Sequence, residues 1–286
     1  MSEQIVGVAQ MQHVLVRRLL AGNPSPFTYT GTQTYLVGGR DVAVIDPGPD
    51  LPGHVDAIIG AIGEAKIKAI VCTHTHRDHS PAAAELKART GAPIIGCAPL
   101  ILDDSGPRAD AAFDRSYAPD EVMQDGARIT GDGWTLEAVH TPGHTSNHLC
   151  YALPEAQALF TGDHVMGWST SVISPPDGNM ADYMASLERL VAREQDSVYY
   201  SAHGDPIDRP QRFARGLAGH RKQREGQILR LLEQKPSEIP AMVKQMYVGV
   251  DERLHPAAGL SVLAHLLDLE TRGIVRHEQE LWSLAA

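Results

Sequence analysis

The sequence predicts a layered α/β protein followed by a smaller, mainly helical C-terminal module. Two observations support this prediction. Up to residue 206, short apolar runs alternate with helical stretches, which is the pattern of sheets covered by helices. After Pro206 and Pro210 the pattern changes to long helices that end in a short ribbon. We therefore place the first domain at residues 1–208 and the second at residues 209–286.

The first domain contains many short predicted strands. They cover residues 13–19, 34–37, 42–45, 67–73, 93–97, 134–140, 149–153, 158–161 and 198–202. Predicted helices occupy residues 51–63, 81–90 and 181–193. Residues 98–124 contain three prolines, and residues 168–179 are rich in Ser, Pro and Gly, so both segments are predicted to be surface loops.

The second domain reads as three helices and a terminal β-ribbon. The helices are predicted at residues 211–233, 239–247 and 257–272, and Gly273 ends the third. Residues 274–277 and 281–282 form the predicted ribbon. This order of elements predicts a winged-helix-like module, a type that binds nucleic acid or pairs subunits.

The most informative segment is residues 73–79, which read Thr-His-Thr-His-Arg-Asp-His. It contains four candidate metal ligands, His74, His76, Asp78 and His79, directly after the apolar run at residues 67–72. Neutral imidazole nitrogens and carboxylate oxygens suit zinc and related divalent ions. The alternative is a polar surface loop, but ligand types this dense favour a metal site on a strand-to-helix loop.

Three further candidate ligands occur singly at the predicted ends of later strands. They are His144, Asp163 and His203, and each has a neighbouring glycine that would let the backbone bend close to a metal. Taken alone, each is more often a satisfied polar residue than a ligand. Repetition of the same arrangement predicts a distributed metal site. Asp46 is a candidate partner for a ligand imidazole, with closure of a Pro-Gly turn as its alternative role.

The ordered motifs resemble the metallo-β-lactamase superfamily, whose signature is His-x-His-x-Asp-His followed by a later His, Asp and His. The match includes residues 44–48, Val-Ile-Asp-Pro-Gly, and covers the whole first domain. The resemblance implies an αββα sandwich with two metal ions at one edge. It implies a first metal on His74, His76 and His144, a second on Asp78, His79 and His203, and Asp163 as the bridge.

The resemblance also implies a hydrolase in which two zinc ions, with manganese or iron as alternatives, hold a bridging hydroxide that attacks an acyl or phosphoryl centre. Asp78 is the candidate catalytic residue, because it could steer the hydroxide as well as bind metal. Asp163 favours the glyoxalase II-like and nuclease branches over true β-lactamases. His76 disfavours the oxygen-reducing di-iron branch.

The C-terminal module narrows the resemblance. Together with residues 31–38, Gly-Thr-Gln-Thr-Tyr-Leu-Val-Gly, it is similar to a β-lactamase-like branch that includes a mitochondrial endoribonuclease. In that branch a winged-helix-like domain follows the metal domain. Gln33 stands where the branch commonly has Asn, which puts any polar contact at that position in doubt.

Charge and composition bound the location and the partners. The net charge of −10 argues against strong sequence-independent binding of nucleic acid. Residues 209–235 nevertheless contain eight Lys or Arg and only two Glu. This cluster, which includes Arg221 and Lys222, is either a solvated helix face or a phosphate-contacting patch. No apolar run suggests a membrane span or a secretory signal, and the three cysteines fit reduced thiols, so we expect a cytoplasmic protein.

Three hypotheses of function remain open from the sequence. The first is hydrolysis of a phosphodiester in single-stranded RNA, and the second is hydrolysis of a small-molecule thioester, lactone, ester or amide such as a β-lactam. The third is a nucleic-acid-binding regulator with a structural metal domain, which the full ligand set disfavours because structural zinc sites are usually closed and four-coordinate. The apolar positions of the last helix fit either domain core or a homodimer contact.

Overall fold

Two β-sheets form the first domain of the protein, which a computed structural model describes over residues 4–100 and 113–285. The strands are β1 (Gln10–His13), β2 (Val16–Leu20), β3 (Gln33–Gly38), β4 (Asp41–Ile45), β5 (Lys66–Cys72), β6 (Ile94–Gly96), β7 (Glu121–Val122), β8 (Arg128–Gly131), β9 (Trp134–His140), β10 (Leu149–Leu153), β11 (Ala158–Gly162), β12 (Val198–Ser201), β13 (Val275–Glu278) and β14 (Leu281–Leu284). A seven-stranded sheet runs from β1 to β7 in chain order, and a five-stranded sheet has the order β12–β11–β10–β9–β8.

Helices cover the outer faces of these sheets or build the C-terminal module. They are α1 (His54–Ile62), α2 (Ala82–Thr90), α3 (Met180–Val191), α4 (Pro210–Gln234), α5 (Ile239–Met246) and α6 (His255–Thr271), with short 3₁₀ turns at Pro154–Ala156 and Glu252–Leu254. One core cluster joins residues of both sheets to α1 and α2, and a second joins the five-stranded sheet to α3 and α4. These layers confirm the predicted αββα sandwich.

The central parallel strands explain where the site is built. β5 pairs in parallel with β4 and with β6, and its last four residues are buried on both faces. The apolar run of β5 ends where the strand leaves the core, and the polar segment that follows it, residues 73–79, lies at the edge of the sheet. Across the sandwich, Tyr151 donates a hydrogen bond of 2.7 Å from its hydroxyl to the Cys72 carbonyl, which ties the second sheet to this strand end.

The C-terminal module has its own core. Residues from the second half of α4, from α5, α6 and the β13–β14 ribbon pack together, including Ile228, Leu266 and Trp282. The predicted three helices and ribbon are confirmed. The first half of α4 lies instead in the cluster of the five-stranded sheet, through Ala214 and Leu217. The division at residues 208 and 209 stays a prediction, because α4 belongs to both cores.

Some predicted elements differ from the structure. The single strand predicted at residues 13–19 is wrong: β1 and β2 form a hairpin whose turn carries Val14, 82% exposed. An apolar residue at a turn imitates a continuous strand in the sequence. The short strands β7 and β8 were not predicted, because neither carries an apolar run. Of the loop predicted at residues 98–124, residues 101–112 lie outside the described residues, and β7 lies in the remainder.

Gly38 at the end of β3 makes a close contact that a side chain would disrupt. A Cβ built there would lie 2.4 Å from Trp134 Nε1 and 2.3 Å from the Asp41 carbonyl oxygen, and its φ is +110°. We expect Gly38→Ala to lower the free energy of unfolding by about 3 kcal/mol, through overpacking and backbone strain. Gly39 has open space around the same position. Gly39→Ala should stay within about 0.5 kcal/mol of the parent in urea denaturation, and equal losses for both variants would contradict this account.

Candidate metal centre

The candidate ligands lie on loops that follow the carboxyl ends of four strands. His74, His76, Asp78 and His79 follow β5, His144 follows β9, Asp163 follows β11, and His203 follows β12. The structure gathers all seven into two groups, His74, His76, His144 and Asp163 in one and Asp78, His79 and His203 in the other. Within each group the ligand atoms lie within 4.8 Å of one another. Residues far apart in the chain thus meet at one edge of the sandwich.

The spacing in the first group fits a single metal ion. His76 Nδ1 lies 3.0 Å from His74 Nε2 and 3.1 Å from His144 Nε2. His144 Nε2 lies 3.7 Å from Asp163 Oδ2. Ligand atoms placed tetrahedrally at zinc–nitrogen distances would be roughly 3.3 Å apart. The four side chains are therefore already at coordination distance from a common centre.

The second group has the same spacing and shares Asp163 with the first. Asp78 Oδ2 lies 3.3 Å from His79 Nε2 and 3.2 Å from His203 Nε2. Asp163 Oδ1 lies 3.2 Å from His203 Nε2, and Asp163 Oδ2 lies 3.5 Å from His79 Nε2. The Asp163 carboxylate thus faces both groups of ligand atoms.

Two buried atoms in this centre form no hydrogen bond to any described residue. They are His79 Nε2 and Asp163 Oδ1, although each has an oppositely charged or polar atom within 3.5 Å. A buried polar group is normally hydrogen-bonded, so such atoms call for another partner. These two ligand-type atoms, buried and without a hydrogen bond, fit a site for divalent cations.

Four of the histidines are oriented through the ring nitrogen that faces away from the centre. The contacts are His74 Nδ1 to Thr73 Oγ1 at 3.0 Å, His79 Nδ1 to Asp46 Oδ2 at 3.0 Å, His144 Nδ1 to the Val172 carbonyl at 2.7 Å, and His203 Nδ1 to the Gly31 carbonyl at 3.3 Å. Donation of the Nδ1 proton to these oxygens leaves each Nε2 lone pair free toward the centre. This is the usual way in which proteins fix the tautomer of a metal-binding histidine.

Asp46 supports two parts of the centre at once. Its Oδ2 accepts hydrogen bonds from His79 Nδ1 and, at 2.8 Å, from Thr73 Oγ1, while its Oδ1 accepts from the Thr73 amide at 2.8 Å. Asp46 is therefore the partner of a candidate ligand imidazole, that of His79. Its backbone φ of +48° is typical of a turn residue, so Asp46 also has the alternative role suggested for it, closure of the Pro-Gly turn.

Burial and neighbouring charges shift the pKa values of the centre in opposite directions. Burial, reinforced by the nearby imidazoles, lowers the pKa of His74 well below its ordinary value. Burial also opposes a charge on His203, but the carboxylates of Asp163 and Asp78 outweigh it and raise its pKa to about 10. The same pairing holds the pKa of Asp163 well below its usual range despite burial. The site thus favours ionised carboxylates, and bound cations would replace protons on the imidazoles that face them.

Several supporting residues carry no signal in the sequence. Thr32 Oγ1 donates to Asp78 Oδ2 at 3.1 Å, and the carbonyl oxygens of Gly31 and Val172 accept from ligand imidazoles. A backbone carbonyl can be supplied by any residue type, so sequence reasoning cannot find it. Arg221, considered from the sequence as part of a phosphate-contacting patch, is only 3% exposed and cannot contact a nucleic acid backbone.

The fold and the centre together define a class of protein, an α/β sandwich with a His- and Asp-rich candidate metal site at one edge. Comparison with known families gives the same result. Residues 28–203 match the model of the metallo-beta-lactamase superfamily, and residues 239–282 match the beta-lactamase associated winged helix domain. The chain belongs to the metallo-beta-lactamase superfamily, and it is a metal-dependent hydrolase.

Relatives extend the similarity over both domains. A Drosophila melanogaster protein named beta-lactamase-like protein 2 homolog is 34% identical, over 91% of this chain and 89% of its own. Atrochrysone carboxyl ACP thioesterase from a Cryptosporiopsis species is 33% identical, over 79% of this chain and 66% of its own. A crystal structure of a metallo-beta-lactamase family protein from Thermus thermophilus superposes with a TM-score of 0.76 and 20% identity, covering 94% of this chain and 98% of that one.

Membrane association through a spanning helix finds no support in the structure. Among residues 4–100 and 113–285, no helix is both long enough and apolar enough to cross a bilayer. The three cysteines, Cys72, Cys97 and Cys150, are buried and free, in agreement with the prediction of reduced thiols.

Proposed function

We propose that this protein is a dinuclear zinc hydrolase that cleaves a thioester. The observation that carries the proposal is the Asp163 carboxylate, which faces both groups of ligand atoms at distances between 3.2 and 3.7 Å. One shared carboxylate between two sets of imidazoles is the arrangement expected of paired metal ions. A single structural zinc would need only one of the two sets.

The proposed ligand assignment follows the two groups. His74, His76 and His144 hold the first metal, Asp78, His79 and His203 hold the second, and Asp163 bridges them. Donor sets rich in imidazole suit zinc, while manganese or iron can occupy the same ligands. Two divalent ions carry four positive charges and the two carboxylates return two, so the loaded site stays electropositive toward a developing oxyanion.

The chemistry divides between the metals and the chain. Two bound metal ions would lower the pKa of a coordinated water to about 7 and polarise the acyl carbonyl. The chain positions the ligands and leaves one side open: the Asp78 side chain is 25% exposed, against 11% for Asp163. Asp78 is therefore the ligand best placed to meet incoming substrate. The hydrogen bond from Thr32 Oγ1 to Asp78 Oδ2 fixes its orientation there.

One observation favours an acyl substrate over a phosphodiester, the similarity to relatives named as acyl carrier protein thioesterases. An aromatic pair is compatible with such a substrate: Tyr29 and Trp168 stack at 4.9 Å between ring centroids, and both are partly exposed. Tyr29 lies two residues before Gly31, whose carbonyl contacts His203 Nδ1. Trp168 directly follows Gly167, whose amide donates a hydrogen bond to the His203 carbonyl. The two rings offer an apolar surface near the metals to the acyl part of a substrate.

A phosphodiester in single-stranded RNA is the second candidate. The exposed basic side chains of α4, among them Arg212, Arg215 and Lys222, support this candidate because they could contact phosphate groups. Burial of Arg221 removes one charge from that face. Binding through the remaining side chains would weaken steeply with salt, because each phosphate contact releases counterions.

The decisive experiment assays metal-replete and chelator-treated protein against thioesters with short, long and aromatic acyl groups, together with a lactone, a β-lactam and a single-stranded RNA. We expect thioester cleavage that is lost on chelation by at least about a hundredfold and restored by zinc, since the metals supply the nucleophile. A salt titration of RNA binding runs in parallel. Metal-dependent cleavage of the RNA alone, with salt-sensitive binding, would reject the thioester in favour of the second candidate.

A further inference from the structure

Arg221 in the middle of α4 is a buried cation for which residues 4–100 and 113–285 supply no ion-pair partner. Its side chain is buried, and no carboxylate of the described residues lies within ion-pair distance of it. The Nε atom of Arg221 also forms no hydrogen bond to any of the described residues. Burying a charge is costly unless specific contacts compensate, so the contacts that Arg221 does make indicate what it is for.

Two groups hold the guanidinium. Its Nη2 donates a hydrogen bond to the Ser171 carbonyl, and its Cζ lies 5.1 Å from the centre of the Tyr183 ring. A guanidinium suits both contacts, because it is planar and offers donors at its edge while its face stacks on an aromatic ring. Arg221 therefore joins α4 to a loop and to α3 at the same point.

The Ser171 contact leads directly to the metal centre. Ser171 Oγ lies 2.6 Å from the Asp163 carbonyl and 2.9 Å from the His164 carbonyl. The next carbonyl in the chain, that of Val172, accepts the hydrogen bond from His144 Nδ1 at 2.7 Å. The segment that Arg221 holds thus fixes the backbone of one ligand and the ring orientation of another.

The Tyr183 contact leads to the same two ligands by a second route. The Tyr183 hydroxyl donates to the His164 carbonyl at 3.1 Å, next to Asp163 in the chain. A Cβ built on Gly143, just before His144, would lie 2.3 Å from Tyr183 Cα, so the His144 loop rests on the backbone of α3.

We propose that Arg221 is a positioning residue that holds His144 and Asp163 in the geometry needed to bind metal. The second half of α4 lies in the core of the C-terminal module. Through Arg221, the geometry of the metal centre therefore depends on the packing of that module against the first domain. The inference rests on the proposed metal assignment, but it concerns metal binding and is independent of which substrate is cleaved.

Arg224 provides a matched control on the same helix. Its guanidinium lies 4.3 Å from the Tyr247 ring centre and its Nη1 donates to the Met246 carbonyl at 2.8 Å. It thus makes the same two kinds of contact, but to α5 and its end rather than to ligand-bearing loops. Arg221→Lys and Arg221→Met are compared with Arg224→Lys and Arg224→Met in the full-length protein.

The test titrates each metal-free protein with Co²⁺ and follows affinity, stoichiometry and the visible absorption of the bound ion. We expect both Arg221 variants to bind Co²⁺ about tenfold more weakly and with an altered spectrum, as for other residues that orient metal ligands. Both Arg224 variants should match the parent in affinity and spectrum, even if their thermal stability falls.

Three results would overturn the inference. One is a folded Arg221→Lys or Arg221→Met protein with the parent's affinity and spectrum, and another is an equal change in the Arg224 variants. Failure of both Arg221 variants to fold, judged by circular dichroism, would assign Arg221 to stability alone. A parent that binds two Co²⁺ ions but cleaves no thioester would reject the proposed substrate and leave this inference standing.

Discussion

Asp163→Asn should lower kcat/KM for the cleaved substrate by at least about a thousandfold, or about 4 kcal/mol of transition-state stabilisation. The substitution keeps the shape of the side chain but removes the negative charge that faces both ligand groups. Four positive charges would then face a single remaining carboxylate, Asp78, and one amide group is a poor bridge between two cations. We expect the bound metal to fall from two equivalents to one or fewer.

Elemental analysis of the dialysed protein measures this stoichiometry, and steady-state kinetics measures the rate. Asp208→Asn is the control, because Asp208 lies five residues from His203 and is exposed. That variant should keep two metals and the parent's rate within about twofold, since exposed substitutions away from special contacts have small effects. An Asp163→Asn protein that retains two metals and near-parent activity would contradict the proposed two-metal mechanism.

The convergence of the seven candidate ligands could be predicted from the sequence because their chemistry is local. His74, His76, Asp78 and His79 stand together after a buried strand, and no packing role explains such a group. His144, Asp163 and His203 were found by their repeated position at strand ends beside glycines. Strand ends on one edge of a sandwich meet in space, so a one-dimensional pattern was enough to predict which residues lie close together.

The support of those ligands could not be predicted, since it depends on contacts across the fold. Arg221 contacts Ser171, 50 residues away in the chain, and in the sequence it is one more basic residue of a charged helix. Helical spacing does place Arg221 on the buried face of α4, in line with Ala214 and Leu217, but it cannot indicate which residues the guanidinium contacts there. The hairpin at residues 10–20 was missed for a related reason, because pairing of the two strands decides where the turn falls.

Asp46→Asn should weaken metal binding at both sites by about a hundredfold, or about 3 kcal/mol. Asp46 Oδ2 accepts from His79 Nδ1, a ligand of the proposed second metal. The same oxygen accepts from Thr73 Oγ1, whose hydroxyl oxygen in turn accepts from His74 Nδ1, a ligand of the proposed first metal. One carboxylate therefore fixes the tautomer of one histidine in each group.

An Asn side chain cannot keep all of these contacts. Its amide nitrogen is a donor, so either His79 Nδ1 or the Thr73 amide would face another donor in a buried site. If the ring of His79, or that of His74 behind Thr73, rotated to avoid the unfavourable contact, its Nε2 would turn away from the centre. Competition with a chromophoric chelator measures zinc affinity directly, without substrate. Asp41→Asn is the control, because Asp41 begins β4, at the end opposite Asp46, and its Oδ1 also accepts from a backbone amide, that of Asp132 at 2.8 Å. If Asp46→Asn bound zinc as tightly as Asp41→Asn, the orientation of His74 and His79 would have to come from packing of their rings rather than from this carboxylate.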